Sequence, residues 1–194
     1  MKSTTILGTM VVVLGMSGNY VHANETNETT ATNNNATAFS ARLSGFNEVP
    51  LSILSSGSGS FQLNIDRAAS TITYTLTYAD TTTPVTQAHI HFGKKHTAGG
   101  IVAFLCSNLP TPPTGTPACP QQGGTVSGTI MAGQVVGQEA QNIPAGDFNA
   151  LVSAIVSETS YANVHTTRFP AGELRGQIRS GNQGGNNGQR ASNR

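Results

Sequence analysis

Residues 61–78 read FQLNIDRAASTITYTLTY, and apolar residues alternate with polar ones on both sides of the short segment 67–70. A period of two places the apolar side chains on one face of an extended strand. The interruption has the length of a tight turn between two such strands. The stretch therefore predicts an antiparallel hairpin that packs one face against a core.

Similar short segments recur along the chain, separated by stretches rich in Gly, Pro, Asn and Asp, and they predict further strands at 39–43, 85–92, 101–105, 125–131, 161–166 and 173–179. Only the stretch after Asp147, a candidate N-cap, has a helical period, with apolar residues at Phe148, Leu151, Val152, Ile155 and Val156. Eight strands and one short helix predict an all-β fold, an antiparallel Greek-key β-sandwich.

The two ends of the chain differ in composition from the middle. Residues 1–23 combine one lysine, an apolar run too short to span a bilayer and small residues before a cleavage point, which predicts a signal peptide. A retained anchor is the alternative. Residues 24–38 are an Asn/Thr-rich linker and residues 180–194 a Gly/Asn-rich tail, and both are expected to be disordered. One domain remains, at 39–179.

The linker contains three N-x-Ser/Thr sequons, at Asn24, Asn27 and Asn35. On an exported protein they indicate a glycosylated spacer, although an Asn/Thr-rich composition also produces sequons by itself. The chain has 10 Lys and Arg against 9 Asp and Glu, and cleavage would remove one lysine, leaving a near-neutral domain. Such a balance argues against nucleic acid as a partner. An extracellular protein or surface component is expected instead, with no membrane span after cleavage.

Two cysteines, Cys106 and Cys119, flank a proline-rich stretch. In an oxidising compartment two cysteines so close in sequence most simply form one disulfide that staples the loop between them. The spacing is not C-x-x-C, and no histidine lies inside the loop, so a redox or metal role is disfavoured.

Three segments place polar side chains on one face of the predicted sheet: AHIHF at 88–92, YANVHT at 161–166 and GELRGQI at 172–178. Alternation turns the apolar residues of each segment to the core and the polar ones to the other side. The polar face then carries His89, His91, Asn163, His165, Glu173 and Arg175.

An H-x-H pair on a strand points both imidazoles to one side, and a third histidine from a neighbouring strand completes a ligand set for copper or zinc. The predicted metal ligands are His89, His91 and His165, with His96 as a possible fourth. Glu48 or Glu173 would hold an imidazole N–H, and Asn163 and Arg175 would support the site. The alternative is a set of cross-strand polar pairs that binds no metal.

Four motifs in order resemble the CHRD domain, which is named from chordin and is widespread in exported microbial proteins: LSGFNEVP at 43–50, AHIH at 88–91, YANVHT at 161–166 and PAGELRGQI at 170–178. The resemblance implies a secreted β-sandwich, immunoglobulin-like or superoxide-dismutase-like, and implies little about activity. The segment HIHFG at 89–93 is also similar to copper/zinc superoxide dismutase.

The binuclear centre of that enzyme needs more histidines than the four that follow residue 23, so only a mononuclear site with dismutase-like activity is conceivable. No G-x-S-x-G nucleophile motif is present, and the sequence identifies no catalytic residue. We therefore expect a non-enzymatic extracellular binding or structural module. The alternative is a copper- or zinc-binding protein that uses the histidine face.

Overall fold

The computed structural model describes residues 37–181. The expected signal peptide, nearly all of the linker with its sequons, and most of the tail lie outside these residues. Among the described residues the first strand begins at Ala38 and the last ends at Ser180.

Nine strands and one α-helix build the domain, and each predicted strand and the predicted helix is present. The strands are β1 (Ala38–Ser44), β2 (Ser58–Asp66), β3 (Thr71–Ala79), β4 (Val85–Phe92), β5 (Gly100–Ser107), β6 (Gly124–Ile130), β7 (Ser160–Thr166), β8 (Leu174–Gln177) and β9 (Arg179–Ser180); the helix is α1 (Phe148–Val156). The single strand predicted at 173–179 is divided into β8 and β9. Three short 3₁₀ turns, which the sequence did not predict, lie at 45–47, 132–134 and 139–141.

All pairings between strands are antiparallel, and hydrogen bonds join them in the order β5-β4-β7-β8-β1-β2-β3-β6, with β9 beside β1. The predicted hairpin is confirmed as β2 and β3, in which Phe61 lies opposite Leu76. The end strands β5 and β6 approach each other, so the sheet is barrel-like and nearly closed. The Greek-key sandwich of two separate sheets stays a prediction.

The core lies inside this curved sheet. Leu76 and Phe61 from the hairpin, and Ile90 and Val164 from β4 and β7, are fully buried there. The hydroxyl of Tyr74 on β3 donates to the carbonyl of Leu105 on β5 at 2.6 Å, which satisfies a buried polar group across the core. The two halves of the sheet therefore share one apolar interior.

The helix α1 covers part of this interior in the connection from β6 to β7. The side chain of Asp147 accepts a hydrogen bond from the backbone N–H of Ala150 at 2.9 Å, which confirms the predicted N-cap. Six of the nine helical residues are buried against the core: Phe148, Leu151, Val152, Ala154, Ile155 and Val156. Within residues 37–181, no helix is long and apolar enough to cross a bilayer.

The predicted disulfide is confirmed between Cys106, in β5, and Cys119, with α-carbons 5.0 Å apart. Both cysteines are buried. Asn108 inside the loop donates to the carbonyls of Val85 and Cys119, so the loop is also held by hydrogen bonds. The staple thus fixes the proline-rich segment to the edge of the sheet formed by β4 and β5.

Replacing Cys106 and Cys119 together by alanine should lower the free energy of unfolding by up to about 3 kcal/mol, because the open chain of the unfolded state gains entropy. Urea denaturation of the oxidised protein and of the double variant measures the difference. The fold itself should persist, since hydrogen bonds from Asn108 also hold the loop. Equal stabilities would show that the disulfide is not a staple.

Candidate metal centre

Pairing of β4 with β7 brings the three predicted histidines together. His89 lies opposite Asn163 and His91 opposite Tyr161, while His165 lies opposite Gln87, two residues before His89. Adjacent strands are about 4.8 Å apart, so side chains on the same face of β4 and β7 are neighbours. The predicted H-x-H plus histidine arrangement is therefore present, on the face of the sheet that points away from the core.

The three imidazoles converge so that one ring nitrogen of each lies within 4.8 Å of the others. The closest pair, His89 Nδ1 and His165 Nε2, is 3.1 Å apart. Two nitrogens bound to one tetrahedral zinc at 2.0–2.1 Å are roughly 3.3 Å apart. The closest pair already has this spacing, whereas the other separations have to shrink by at most about 1.5 Å for all three to bind one ion.

Backbone carbonyls determine which ring nitrogens carry protons. His91 Nδ1 lies 3.0 Å from the Gly99 carbonyl, and His165 Nδ1 lies 2.9 Å from the Pro170 carbonyl. A carbonyl oxygen only accepts, so each Nδ1 donates, and each Nε2 of a neutral ring carries a lone pair. A carbonyl holding the far N–H is also the usual outer partner of a metal-binding histidine.

Two ring nitrogens of this cluster are buried without a partner, His89 Nε2 and His91 Nε2. Because His165 Nε2 is an acceptor, His89 Nδ1 is the donor in their contact, which leaves the lone pair of His89 Nε2 unpaired. Each unsatisfied buried polar atom costs about 1–3 kcal/mol. A cation bound to His91 Nε2 would remove this cost there, whereas binding through His89 Nδ1 would first require its proton to move to Nε2.

Burial keeps all three rings neutral. It lowers the pKa of His89 to about 2, with the neighbouring His165 and His91 adding to the effect. Burial likewise lowers the pKa of His91 to about 4, although the hydrogen bond to Gly99 acts in the opposite sense. The pKa of His165 is also lowered by burial. Neutral imidazole is the form that binds metals.

A stack of three side chains borders the histidines. The ring of Tyr161 is parallel to that of His91, with centroids 4.8 Å apart and an interplanar angle of 4°. The guanidinium carbon of Arg175 lies 3.5 Å from the centre of the same tyrosine ring. Tyr161 alternates with Asn163 and His165 on β7, so strand periodicity could have identified it, although the sequence analysis did not include it.

Loops cover the polar face, and this was not foreseen. The connection from β1 to β2 contributes Asn47, whose side chain donates to the Arg175 carbonyl at 3.0 Å. The connection from β4 to β5 contributes the carbonyls of Lys94 and Thr97, which accept from Arg175 Nη2 at 3.1 and 2.8 Å. On this face His89 is fully buried, and His91 and His165 are only 7% and 5% exposed.

Glu48 and Asn163, two of the predicted supporting residues, bind each other. Asn163 Nδ2 donates to Glu48 Oε1 at 2.6 Å and to the Leu174 carbonyl at 2.9 Å. Burial raises the pKa of Glu48 to about 7 against the opposing effects of Asn163 and Arg175. Gly172 adjoins this pair, and a side chain there would collide with both. Neither Glu48 nor Asn163 is hydrogen-bonded to a histidine.

Glu173 has a different set of partners from the one expected. Its carboxylate accepts from the hydroxyls of Ser55, Thr82 and Thr166 and from the backbone N–H of Thr82, at 2.7–2.9 Å. Strand β8 begins only at Leu174, after Gly172 with φ +133°, so strand alternation does not extend to Glu173. Its hydrogen bonds tie two loops to β7 and reach no histidine.

His96, the possible fourth ligand, does not join the cluster. It is exposed, in the connection between β4 and β5, with a positive φ of 67°. The group of potential ligands in the part of the chain that the structure describes contains His89, His91 and His165. A fourth ligand would therefore have to come from outside this group.

Comparison with known proteins identifies the class to which this β-rich domain belongs. The model of the CHRD domain family matches residues 39–178, well over half of the chain. The chain therefore belongs to the CHRD-domain family, as its four motifs predicted. Among curated proteins and among solved structures, no match is found.

Replacing Glu173 by Gln should destabilise the domain by about 1–3 kcal/mol at neutral pH, because an amide cannot accept all four hydrogen bonds. The hydrogen bonds to the carboxylate lower its pKa below 4.5 against the effect of burial. Its stabilising effect is thus present above pH 4.5 and is lost as the pH falls through the lowered value. Urea denaturation of both proteins from pH 7 to pH 3 should show the difference shrinking, and a constant difference would contradict this account.

Replacing Glu48 by Gln should have the opposite pH signature. The folded-state pKa of Glu48 is about 7 against an ordinary value of 4.5, so the folded protein binds more protons between these limits. The contribution of Glu48 to stability should accordingly fall as the pH rises from about 4.5 to 7, so over this range the wild type should lose stability relative to Glu48→Gln, which retains an acceptor for Asn163. The buried histidines affect both proteins equally, so they do not change this difference. Melting temperatures of both proteins across this range test it; parallel profiles would contradict the assignment.

Proposed function

We propose that this CHRD domain holds one copper or zinc ion through His89, His91 and His165. The observation that carries the proposal is the pair of fixed tautomers: Gly99 and Pro170 accept the Nδ1 protons of His91 and His165, and so turn unprotonated nitrogens towards the cluster. Imidazole nitrogen suits both metals. His91 Nε2, His165 Nε2 and one nitrogen of His89 would be the ligands.

Burial favours storage or structural stabilisation over catalysis at this site. None of the three histidines is more than 7% exposed, and loops lie over the face that carries them. A catalytic metal needs an open coordination position that a substrate can reach. The proposed role is therefore non-enzymatic, and dismutase-like activity is the alternative that the same measurements address.

We further propose that the domain acts outside the cytoplasm, as an extracellular binding or structural module. The disulfide between Cys106 and Cys119 supports this setting, because disulfides persist mainly in oxidising compartments. The signal peptide at 1–23 and glycosylation of the linker belong to the same proposal. Mass spectrometry of protein recovered from its native host would test both, since cleavage after Ala23 and glycan mass on the linker have distinct signatures.

Metal analysis and calorimetric titration of the full chain with Zn²⁺ and Cu²⁺ test the metal proposal. One equivalent should bind, and His91→Ala should weaken the affinity by roughly 100-fold or more, since changes to outer partners alone cost 10–100-fold. His96→Ala is the matched control, an exposed histidine outside the cluster, and it should bind as the wild type does.

Circular dichroism of both variants separates loss of a ligand from loss of fold, and His91→Gln provides a second, more conservative replacement. Wild-type protein that binds neither ion, or equal affinities for the His91 and His96 variants, would overturn the proposal. Superoxide dismutation by the copper-loaded wild type, absent in His91→Ala, would instead favour the catalytic alternative.

A further inference from the structure

A cavity of about 220 Å³ lies beside the histidine cluster, and basic side chains dominate its lining: Asn47, Lys95, His96, Arg175, Gln177 and Arg179. Seven Lys and Arg residues fall within residues 37–181, and three of them line this one cavity. No carboxylate is among the lining residues. In a chain of nearly balanced charge, this is a local concentration of positive charge.

Arg175 is the unusual member of the lining. It is only 3% exposed, yet no carboxylate within the described residues forms an ion pair with it, and the Glu48 carboxyl group acts on its charge from a longer distance. Buried charges in proteins are normally paired with an opposite charge, because transfer of an isolated ion from water is expensive. The bonds that Nη2 makes to the Lys94 and Thr97 carbonyls satisfy hydrogen-bonding capacity but do not neutralise the charge.

The same bonds fix the cavity. Lys94 and Thr97 flank Lys95 and His96, so Arg175 holds the segment that supplies two other lining residues. Tyr161 supports the guanidinium from one side at 3.5 Å. Arg179 is oriented by its ion pair with Glu158 at 2.7 Å, which neutralises one of the three positive charges. Two basic side chains, Lys95 and Arg175, remain without an ion pair among residues 37–181, and Glu48 acts on the charge of Arg175 only from beyond ion-pair distance.

We propose that this cavity binds a small tetrahedral oxyanion, a phosphate or sulfate group. Two cations without an ion pair suit a doubly charged anion better than a single carboxylate, and charge-assisted hydrogen bonds from guanidinium and ammonium groups are the strong ones. The volume exceeds the ~30 Å³ share of one water molecule several-fold, which leaves room for the anion. None of the three histidines of the proposed metal centre lines this cavity. The two proposals can therefore be tested separately.

Calorimetric titration and thermal unfolding of the full chain with inorganic phosphate and with sulfate test the proposal, at an ionic strength held constant with KCl. Saturable binding and a rise in melting temperature beyond that in KCl alone are expected. Glycerol 3-phosphate is a third probe: binding would indicate an esterified phosphate as the ligand, and its failure beside inorganic phosphate would indicate the free ion. No saturable binding of any probe would overturn the proposal.

Lys95→Gln and Lys94→Gln are a matched pair, because both lysines are exposed neighbours and only Lys95 lines the cavity. Lys95→Gln should weaken phosphate binding by about three- to tenfold, as expected for one charge-assisted contact, and Lys94→Gln should not. If both variants bound phosphate equally weakly, the loss would reflect the overall surface charge and not a contact in the cavity. That result would overturn the proposal.

Arg175→Lys keeps the charge but loses the planar fork, and it should weaken binding at least as much as Lys95→Gln does. If this variant fails to fold, the comparison of Lys95→Gln with Lys94→Gln tests the proposal by itself. Titrations repeated after chelator treatment should give unchanged phosphate affinity, so failure of the metal proposal would be distinguishable from failure of this one.

Discussion

The register of β4 against β7 is the constraint on which the site depends. It places His89 opposite Asn163 and His91 opposite Tyr161, and at the same time turns Ile90 and Val164 into the core. Side chains alternate with a period of two, so a slip by one residue would exchange the polar and apolar faces. Because the apolar face is fully buried, the core itself fixes the position of the histidines.

The second face of these strands is buried as well, and this changes what its polar groups require. Buried N–H, carboxylate and guanidinium groups need partners, and most have them: carbonyls accept from His91, His165 and Arg175, and four hydrogen bonds surround Glu173. Only a few of these buried groups lack a partner among the described residues. Two imidazole lone pairs have no hydrogen-bond partner and Arg175 has no ion pair among the described residues, and these are the features that point to bound ions.

The sequence allowed prediction of those features that depend on local periodicity. Alternation located the strands, the change of period and Asp147 located the helix, and the H-x-H spacing with His165 identified the cluster. The disulfide followed from two cysteines close together. The strands, the helix and the histidine spacing could be predicted because each follows from a regular repeat over several residues. The disulfide could be predicted because only two cysteines are present.

Features that depend on loop paths could not be predicted in this way. Coverage of the polar face depends on the connections at 45–57 and 93–99, whose conformations are irregular. The direction of Glu173 depends on the backbone at Gly172, which breaks the alternation one residue before β8. The proton acceptors of His91 and His165 are backbone carbonyls, which every residue possesses, so no residue type identifies them.

The short strand β9 pairs with β1, with Phe39 opposite Ser180, and so the two ends of the folded domain lie side by side. Paired strands are separated by about 4.8 Å, a distance that one or two residues can bridge. A domain with adjacent ends can be inserted into a surface loop of another protein without distorting its host, and its own ends can be joined to give a circular permutant. Tension applied to both ends would load the β1–β9 pair first and leave β4 and β7, with their histidines, outside the line of force.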